Sequence, residues 1–316
     1  MAKALMFLGT ASESGKSVLA AAFCRILKRK GIRVAPFKAQ NMALNSGVTP
    51  DGREMGRAQI VQAEAAGIEP HVDMNPVLLK PTSEKASQVI VHGMVKGNMD
   101  AAGYYREKRT LWPLITRSYD RLAEQYDIII LEGAGSPVEM NLKKNDIVNM
   151  AMAEYADAAA VLIADIDRGG VFASIVGTVE LLEPSERKRL IGFIINKFRG
   201  DVSLLRDGLS FIKKKTGYPV LGVLPLIQDL YMPGEDSVSL AVRKSSKLSC
   251  HGGIAVGVIR FPHISNYTDF EPRECDPRFY LEYFVSPEKL GTYDVVIIPG
   301  SKNVFSDYQL IFFLFQ

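Results

Sequence analysis

Short apolar runs recur along the first 225 residues and alternate with longer stretches in which apolar residues have helical spacing. Several runs are almost continuously apolar, which is typical of strands buried on both faces of a parallel sheet. Strands are predicted at residues 4–8, 33–37, 127–131, 160–164, 191–195 and 220–223. Helices are predicted between them, at 16–30, 111–125, 147–155 and 203–216. This alternation predicts an α/β fold with a doubly wound, mostly parallel sheet.

The pattern weakens after residue 225, where proline, glycine and charged residues replace the apolar runs. We predict a first domain at 1–228, a linker at 229–252 and a second α/β domain at 253–316. Strands are predicted in the second domain at 254–260 and 294–298. Because parallel strands need helices on both faces, this short segment is expected to be an incomplete domain. Its apolar tail, 310–315, is expected to lack a packing partner nearby in sequence.

Residues 9–17, Gly-Thr-Ala-Ser-Glu-Ser-Gly-Lys-Ser, lie between the first predicted strand and the first predicted helix. A loop in this position binds phosphate through backbone N–H groups, the helix N-terminus and a lysine, while a hydroxyl reaches the Mg²⁺ of the nucleotide. The predicted nucleotide ligands are Gly9, Thr10, Ser14, Gly15, Lys16 and Ser17. Five residues separate Gly9 from Gly15, one more than in the usual phosphate loop.

Polar residues follow the other predicted strands, and the carboxyl ends of parallel strands meet at one edge of a sheet. Lys38 follows the second strand and Glu132 the third. We predict that Glu132 and Ser17 are both Mg²⁺ ligands. We also predict that Lys38 contacts the γ-phosphate of the nucleotide or a carboxylate of the substrate. The alternatives are a capping or loop carboxylate for Glu132 and a solvated surface lysine for Lys38.

Composition narrows the function classes. The 316 residues are 47% hydrophobic and 23% charged, with a net charge of +3, as in an ordinary globular protein and too mild for a nucleic-acid-binding surface. The cysteines and histidines lack disulfide or zinc-ligand spacing: Cys24, Cys250, Cys275, His71, His92, His251 and His263. No signal peptide and no apolar run of about 18 residues is apparent, so we expect no membrane contact and a cytoplasmic location.

The phosphate loop, with its longer spacing and Glu13 inside it, resembles that of dethiobiotin synthetase. Longer stretches resemble the cobyric acid synthase family up to about Asn303. They include Pro-Phe-Lys-Ala-Gln-Asn-Met, Asp-Ile-Asp-Arg-Gly-Gly-Val-Phe and Arg-Phe-Pro-His-Ile-Ser-Asn-Tyr-Thr-Asp-Phe. The matching stretches are 36–42, 74–81, 132–137, 165–172, 196–201 and 260–270.

The resemblance implies an ATP- and Mg²⁺-dependent ligase of cobalamin biosynthesis. Such enzymes amidate the b, d, e and g carboxylates of adenosylcobyrinic acid a,c-diamide through acyl phosphates, with glutamine or ammonia as nitrogen donor. Their second domain is a class I glutamine amidotransferase, but the Gly-x-Cys-x-Gly-x-Gln element of that domain is absent here. We therefore expect glutamine-dependent activity to be lost and ammonia-dependent activity to survive. A truncation, a frameshift or a split gene with a separate glutaminase partner would each explain the missing element. The sequence also leaves open whether the protein is a homo-oligomer.

The resemblance also implies residue roles. Asn196 is predicted to contact adenine, with a turn-forming asparagine as the alternative. The candidate substrate contacts are Gln40, Asn41, Asn45, Asp165 and Arg168. Asp165, with Asp167, is expected to orient metal or substrate, and Arg168 to bind a corrin carboxylate; a structural Asp–Arg pair among them is an equal alternative. A basic rim of Lys80, Lys85, Lys96 and Arg106 suits a polyanionic substrate or is simply a solvated face.

Other functions fit the phosphate loop less well. Partitioning or scaffold ATPases carry an extra lysine early in the loop, and residues 10–14 contain none. A ligase of the dethiobiotin synthetase type does not account for the Asp-Arg-Gly-Gly stretch or for residues 260–270. An inactive fragment stays an alternative, since the open edge of a parallel sheet is sticky.

Overall fold

The computed structural model describes residues 2–83, 86–227 and 253–314. The strands, in chain order, are β1 Lys3–Gly9, β2 Val34–Phe37, β3 Gln40–Met42, β4 Ser46–Val48, β5 Glu54–Gly56, β6 Val77–Pro81, β7 Ala86–Val91, β8 Met94–Asp100, β9 Ile128–Glu132, β10 Ala159–Asp165, β11 Leu190–Phe198, β12 Val220–Pro225, β13 Ile254–Ile259, β14 Phe279–Phe284 and β15 Val295–Ile297. The helices are α1 Lys16–Arg29, α2 Arg57–Ala66, α3 Ala101–Gln125, α4 Met140–Lys143, α5 Met150–Tyr155, α6 Val171–Leu181, α7 Pro184–Arg187, α8 Arg206–Thr216, α9 Glu271–Glu274 and α10 Val304–Leu314.

Six parallel strands form the central sheet in the order β12-β11-β10-β1-β9-β2. Residues of β1 alternate between two cores: Met6 and Leu8 pack on one face, and Phe7 packs on the other with Leu19 of α1. Both faces are therefore covered by helices. The predicted doubly wound, mostly parallel fold is confirmed, and all six predicted strands are present.

The segment between β2 and α3 builds structure that the apolar pattern did not indicate. Strands β3, β6, β7 and β8 form a mixed four-stranded sheet, parallel only between β3 and β6. Strands β4 and β5 form an antiparallel hairpin that leads into α2. Residues 77–81 form strand β6, which pairs antiparallel with β7. This insertion lies directly after Lys38 and therefore borders the polar edge of the central sheet.

Helix α3 begins at Ala101, well before the predicted start at residue 111. Its first turn is capped by Asp100, whose carboxylate accepts a hydrogen bond from the N–H of Gly103 at 2.7 Å. Residues 101–110 lack the apolar stripe that identifies helices in a sequence. The predicted helices at 147–155 and 203–216 begin later than expected, at Met150 and Arg206.

The second unit is a parallel three-stranded sheet in the order β14-β13-β15, with a core of its own around Val258, Ile264 and Tyr267. Leu310 and Ile311 of α10 pack against this core, so the expectation of an unpartnered apolar tail is wrong for them. The predicted linker at 229–252, with Cys250, falls outside the described residues. Among the helices that are described, none is both long and apolar enough to span a membrane.

Candidate active site

The loop between β1 and α1 depends on two glycines. Gly15 has φ +101°, which disfavours side chains, and a Cβ at this position would collide with the Nδ2 atom of Asn196. A Cβ on Gly9 would lie 2.7 Å from the Nζ atom of Lys16 and 2.8 Å from the carbonyl oxygen of Ala11. Lys16 is buried, and its Nζ atom donates to the carbonyl oxygens of Ala11 at 2.9 Å and Gly135 at 3.1 Å. The Lys16 side chain is therefore held by carbonyl oxygens of the phosphate loop and of the loop after β9.

The loop also contains a polar atom that the protein leaves unsatisfied. Ser14 is 0% exposed, and its Oγ atom has no hydrogen-bond partner within the part of the chain that the structure describes. Buried hydroxyl groups normally form hydrogen bonds, so an unsatisfied hydroxyl in a phosphate loop indicates that a ligand atom binds there. A phosphate oxygen of a nucleotide fits this position.

Glu132 is the centre of the second half of the site. It is 1% exposed at the end of β9. Its Oε1 atom accepts hydrogen bonds from Ser17 Oγ and Lys38 Nζ, each at 2.8 Å, and its Oε2 atom accepts one from Gln62 Nε2 at 2.6 Å. Burial pushes the pKa of Glu132 upward, but the charge of Lys38 and these hydrogen bonds leave the pKa below its usual value. The carboxylate is therefore ionised.

The predicted pairing of Ser17 with Glu132 is thus present as a direct contact. A hydroxyl and a carboxylate are hard oxygen ligands of the kind that Mg²⁺ prefers. Within residues 2–83, 86–227 and 253–314 there is no group of three or more His, Cys, Asp or Glu side chains that could hold a metal. A cation at this site would consequently need oxygens from a bound phosphate besides Ser17 and Glu132.

Asn149 fixes the loop that follows β9, a role that the sequence did not indicate. Its Oδ1 atom accepts from the N–H of Ala134 at 3.0 Å, and its Nδ2 atom donates to the carbonyl oxygen of Ala134 at 2.9 Å. A Cβ on Gly133 would collide with the same side chain. Through this loop Asn149 also sets the position of the Gly135 carbonyl that Lys16 contacts.

The ends of β10 and β11 contact the phosphate loop from the other side. The Nδ2 atom of Asn196 donates to the carbonyl oxygen of Ser14 at 2.9 Å. The Nζ atom of Lys197 donates to the carbonyl oxygen of Glu13 and to Asp165 Oδ2, both at 2.8 Å. Asn196 therefore supports the loop directly, and its predicted contact with adenine stays a prediction.

Asp165 and Arg168 form ion pairs, but not with each other. Asp165 pairs with Lys197, and Arg168 pairs with Glu13 of the phosphate loop. The structural Asp–Arg pair of this segment joins Asp167 to Arg199 at 2.7 Å. Arg168 thus pairs with neither Asp165 nor Asp167, and the structural Asp–Arg pair of this segment involves Arg199 instead. The substrate roles of Asp165 and Arg168 stay predictions.

The candidate substrate amides lie on the insertion after β2. Gln40 accepts a hydrogen bond from the hydroxyl of Tyr104 at 2.5 Å. Asn41 and Asn45 are buried, and the Nδ2 atom of Asn41 donates to Gln59 Oε1 at 3.0 Å. Of these three predicted residues, Gln40 is partly accessible and the other two face the protein interior.

The predicted basic rim is only partly a surface. Lys80 is 1% exposed and forms an ion pair with Glu54, so its assignment to a solvated rim is wrong. Burial lowers the pKa of Lys80 to about 8 despite the opposing effect of Glu54. Lys96 is exposed and pairs with Glu107. Lys85 lies outside the described residues.

Lys80 lies where the two units meet. Its Nζ atom donates to Ser46 Oγ at 2.6 Å, and Ser46 in turn lies 3.4 Å from Oδ1 of Asn266 in the second unit. The Nδ2 atom of Asn303 donates to the carbonyl oxygen of Thr82 at 3.3 Å. Loops at the carboxyl ends of β13 and β15 thus contact the insertion of the first unit.

The fold and its loop define a P-loop nucleotide-binding protein. Residues 5–238 match the family described as CobQ/CobB/MinD/ParA nucleotide binding domain, and the chain belongs to this family. Residues 255–311 match the CobB/CobQ-like glutamine amidotransferase domain. This second match continues past Asn303, so the expectation that the family pattern ends there is wrong.

The chain is also similar to curated proteins that are named cobyric acid synthase. Cobyric acid synthase of Syntrophobacter fumaroxidans is 57% identical over 98% of this chain and 61% of its own length. Cobyric acid synthase of Salmonella typhimurium is 55% identical over 97% of this chain and 60% of its own length. The resemblance to cobyric acid synthase is confirmed. The chain spans about three fifths of the length of these relatives.

Two solved structures are weakly similar. MinD with Mg-ADP from Pyrococcus horikoshii is 14% identical with a TM-score of 0.39, over 72% of this chain and 82% of that one. Chloroplast FtsY from Physcomitrella patens is 17% identical with a TM-score of 0.40, over 71% of this chain and 58% of that one. Both scores are too low to carry an argument about function.

Proposed function

We propose that this chain carries the ATP-dependent amide-forming activity of cobyric acid synthase. The acceptors are the b, d, e and g carboxylates of adenosylcobyrinic acid a,c-diamide, and the product is cobyric acid. The observation that carries the proposal is the contact of Glu132 with both Ser17 and Lys38, beside a phosphate loop whose Ser14 hydroxyl lacks a partner. The names of the relatives supply the substrate class.

The reaction has two steps. A carboxylate oxygen of the corrin side chain attacks the γ-phosphorus of ATP, and the bond to the ADP oxygen breaks, which gives an acyl phosphate and ADP. Ammonia then attacks the acyl carbon, phosphate leaves with the bonding electron pair, and the nitrogen loses a proton. Catalysis of the first step is mainly positioning and charge neutralisation.

The residues divide these tasks. Lys16 and the loop amides hold the phosphates of ATP, and Ser14 donates its hydroxyl to a phosphate oxygen. Ser17 and Glu132 would hold Mg²⁺, which would supply positive charge to the phosphates of ATP. Lys38 lies within 2.8 Å of Glu132, where its ammonium can neutralise the acceptor carboxylate or the γ-phosphate.

We further propose that the polypeptide made of these 316 residues uses free ammonia as its nitrogen donor. None of its three cysteines stands in a Gly-x-Cys-x-Gly-x-Gln element of class I amidotransferases. Cys275 is exposed at the end of a short helix, where no such element surrounds it. We also propose a cytoplasmic location, which fits Cys24 and Cys275 forming no disulfide within the described residues.

The test is amidation of adenosylcobyrinic acid a,c-diamide by the purified chain, with ATP and Mg²⁺ and with either ammonium chloride or glutamine. Product masses are followed by mass spectrometry, and Lys16→Met is the matched control. We expect successive mass changes for amidation with ammonium chloride and none with glutamine or with the variant. A folded chain that binds ATP but amidates with neither donor would contradict the proposal and favour an inactive fragment.

A further inference from the structure

Gln62 has no role in the proposed reaction, yet it contacts the central carboxylate of the site. It lies on α2, is 0% exposed, and donates from Nε2 to Glu132 Oε2 at 2.6 Å. The other carboxylate oxygen, Oε1, faces Ser17 and Lys38. The two oxygens of Glu132 therefore have separate partners: Gln62 contacts Oε2, and its Nε2 atom also lies 3.5 Å from the carbonyl oxygen of Ser17.

The amide of Gln62 has a defined orientation. An ionised carboxylate only accepts hydrogen bonds, so the NH₂ group of Gln62 must face Glu132 and its Oε1 atom must point elsewhere. That oxygen is buried and has no hydrogen-bond partner among the residues that the structure describes. An unpaired buried amide oxygen is destabilising, and an apolar side chain of similar shape would avoid it. Packing alone therefore does not explain a glutamine here.

Gln59 provides a comparison on the same helix. It is also 0% exposed and also has one unpaired amide atom, Nε2, within the described chain. Its Oε1 atom accepts from Asn41 rather than contacting Glu132. The two glutamines thus share residue type, burial and helix, and they differ in whether they contact the carboxylate.

We propose that Gln62 is a positioning residue that fixes Oε2 of Glu132 and so directs Oε1 to the Ser17 hydroxyl, where a nucleotide-bound divalent cation would be held. A cation at this point repels the ammonium of Lys38 but not a neutral amide, so Gln62 is the partner that can stay in place when the metal arrives. Outer partners of ligating carboxylates contribute to metal affinity in this way. The inference rests on the proposed metal role of Ser17 and Glu132.

The test measures affinity rather than turnover. Binding of a non-hydrolysable ATP analogue by the full chain is titrated at a series of free Mg²⁺ concentrations for the wild type, Gln62→Met and Gln59→Met. For Gln62→Met we expect the Mg²⁺ concentration that gives half of the affinity gain to rise by about 10-fold. Affinity in EDTA is expected to stay at the wild-type value, which also shows that the loop is folded. Gln62→Asn, which withdraws the amide by one methylene, is a second variant with a shift in the same direction.

The outcomes distinguish a failure of the positioning role of Gln62 from a failure of the metal role of Ser17 and Glu132. A wild-type Mg²⁺ dependence in folded Gln62→Met, or an equal shift in Gln59→Met, would overturn the positioning role and leave the proposed activity untouched. Nucleotide affinity of the wild type that does not depend on Mg²⁺ would overturn the metal role of Ser17 and Glu132, and with it the inference.

Discussion

Removal of the Lys38 ammonium should destabilise the fold through the charge that it leaves behind. In Lys38→Met, Glu132 stays 1% exposed and keeps hydrogen bonds from Ser17 and Gln62, but it loses its ion pair at 2.8 Å. Loss of one partner of a buried ion pair costs about 3–5 kcal/mol. Because two neutral donors remain, we expect the free energy of unfolding to fall by about 3 kcal/mol at pH 7.

The effect should depend on pH with a definite sign. In the wild type the pKa of Glu132 is lowered, so its contribution to stability is present above the pKa of an unfolded glutamate and is lost as the pH falls through the folded value. In Lys38→Met, burial is no longer opposed by the ammonium, and the pKa of Glu132 rises. The stability difference between wild type and variant should therefore be largest near neutral pH and shrink towards pH 4.

Urea unfolding followed by circular dichroism at pH 7 and pH 5 measures both effects. The double variant Lys38→Met/Glu132→Gln should recover much of the loss, because it removes the uncompensated charge. Lys96→Met breaks an exposed ion pair with Glu107 and should cost less than about 1 kcal/mol. A loss below about 1 kcal/mol in Lys38→Met, or a double variant as unstable as the single one, would refute the reasoning.

Three further predictions concern other parts of the molecule. Gly15→Ala places a side chain at φ +101° and against Asn196, so nucleotide binding measured by calorimetry should be lost; wild-type affinity would contradict this. Lys80 has a pKa lowered to about 8, so the folded state binds fewer protons than the unfolded state between about pH 8 and the usual lysine pKa. Stability should thus gain a rising contribution from Lys80 across this window, and an unchanged pH profile of urea unfolding in Lys80→Met would contradict it. Iodoacetamide should modify the exposed Cys275 but not the buried Cys24, whose pKa burial raises to about 12; peptide mass mapping that finds native Cys24 alkylated would be inconsistent with the fold.

The central sheet could be predicted because its strands are short, apolar and separated by helical patterns. The polar edge followed from the same periodicity, since residues directly after parallel strands must meet. Lys38 and Glu132 were accordingly expected near Ser17, and Glu132 contacts both Ser17 and Lys38. Strands β3, β4 and β5 of the insertion could not be predicted in this way because each is only three residues long.

The residues that the sequence did not indicate are polar side chains buried by tertiary structure. Gln62 lies on a helix whose pattern does not show which face is buried, and Asn149 precedes a helix at a distance from the loop that it fixes. Lys80 was expected at the surface because a lysine ordinarily is, and only the position of Glu54 across the insertion accounts for its burial. The burial and contacts of these side chains depend on residues far away in the sequence, so a local sequence pattern does not indicate them.

The central claim is that the phosphate loop activates a carboxylate by phosphoryl transfer. The most direct measurement uses adenosylcobyrinic acid a,c-diamide with ¹⁸O in its free carboxylates, together with ATP, Mg²⁺ and ammonium chloride, and mass analysis of the phosphate released. The account predicts one ¹⁸O atom in the phosphate for each amide formed, because the carboxylate oxygen leaves with the phosphoryl group. Amide formation with unlabelled phosphate would contradict the claim.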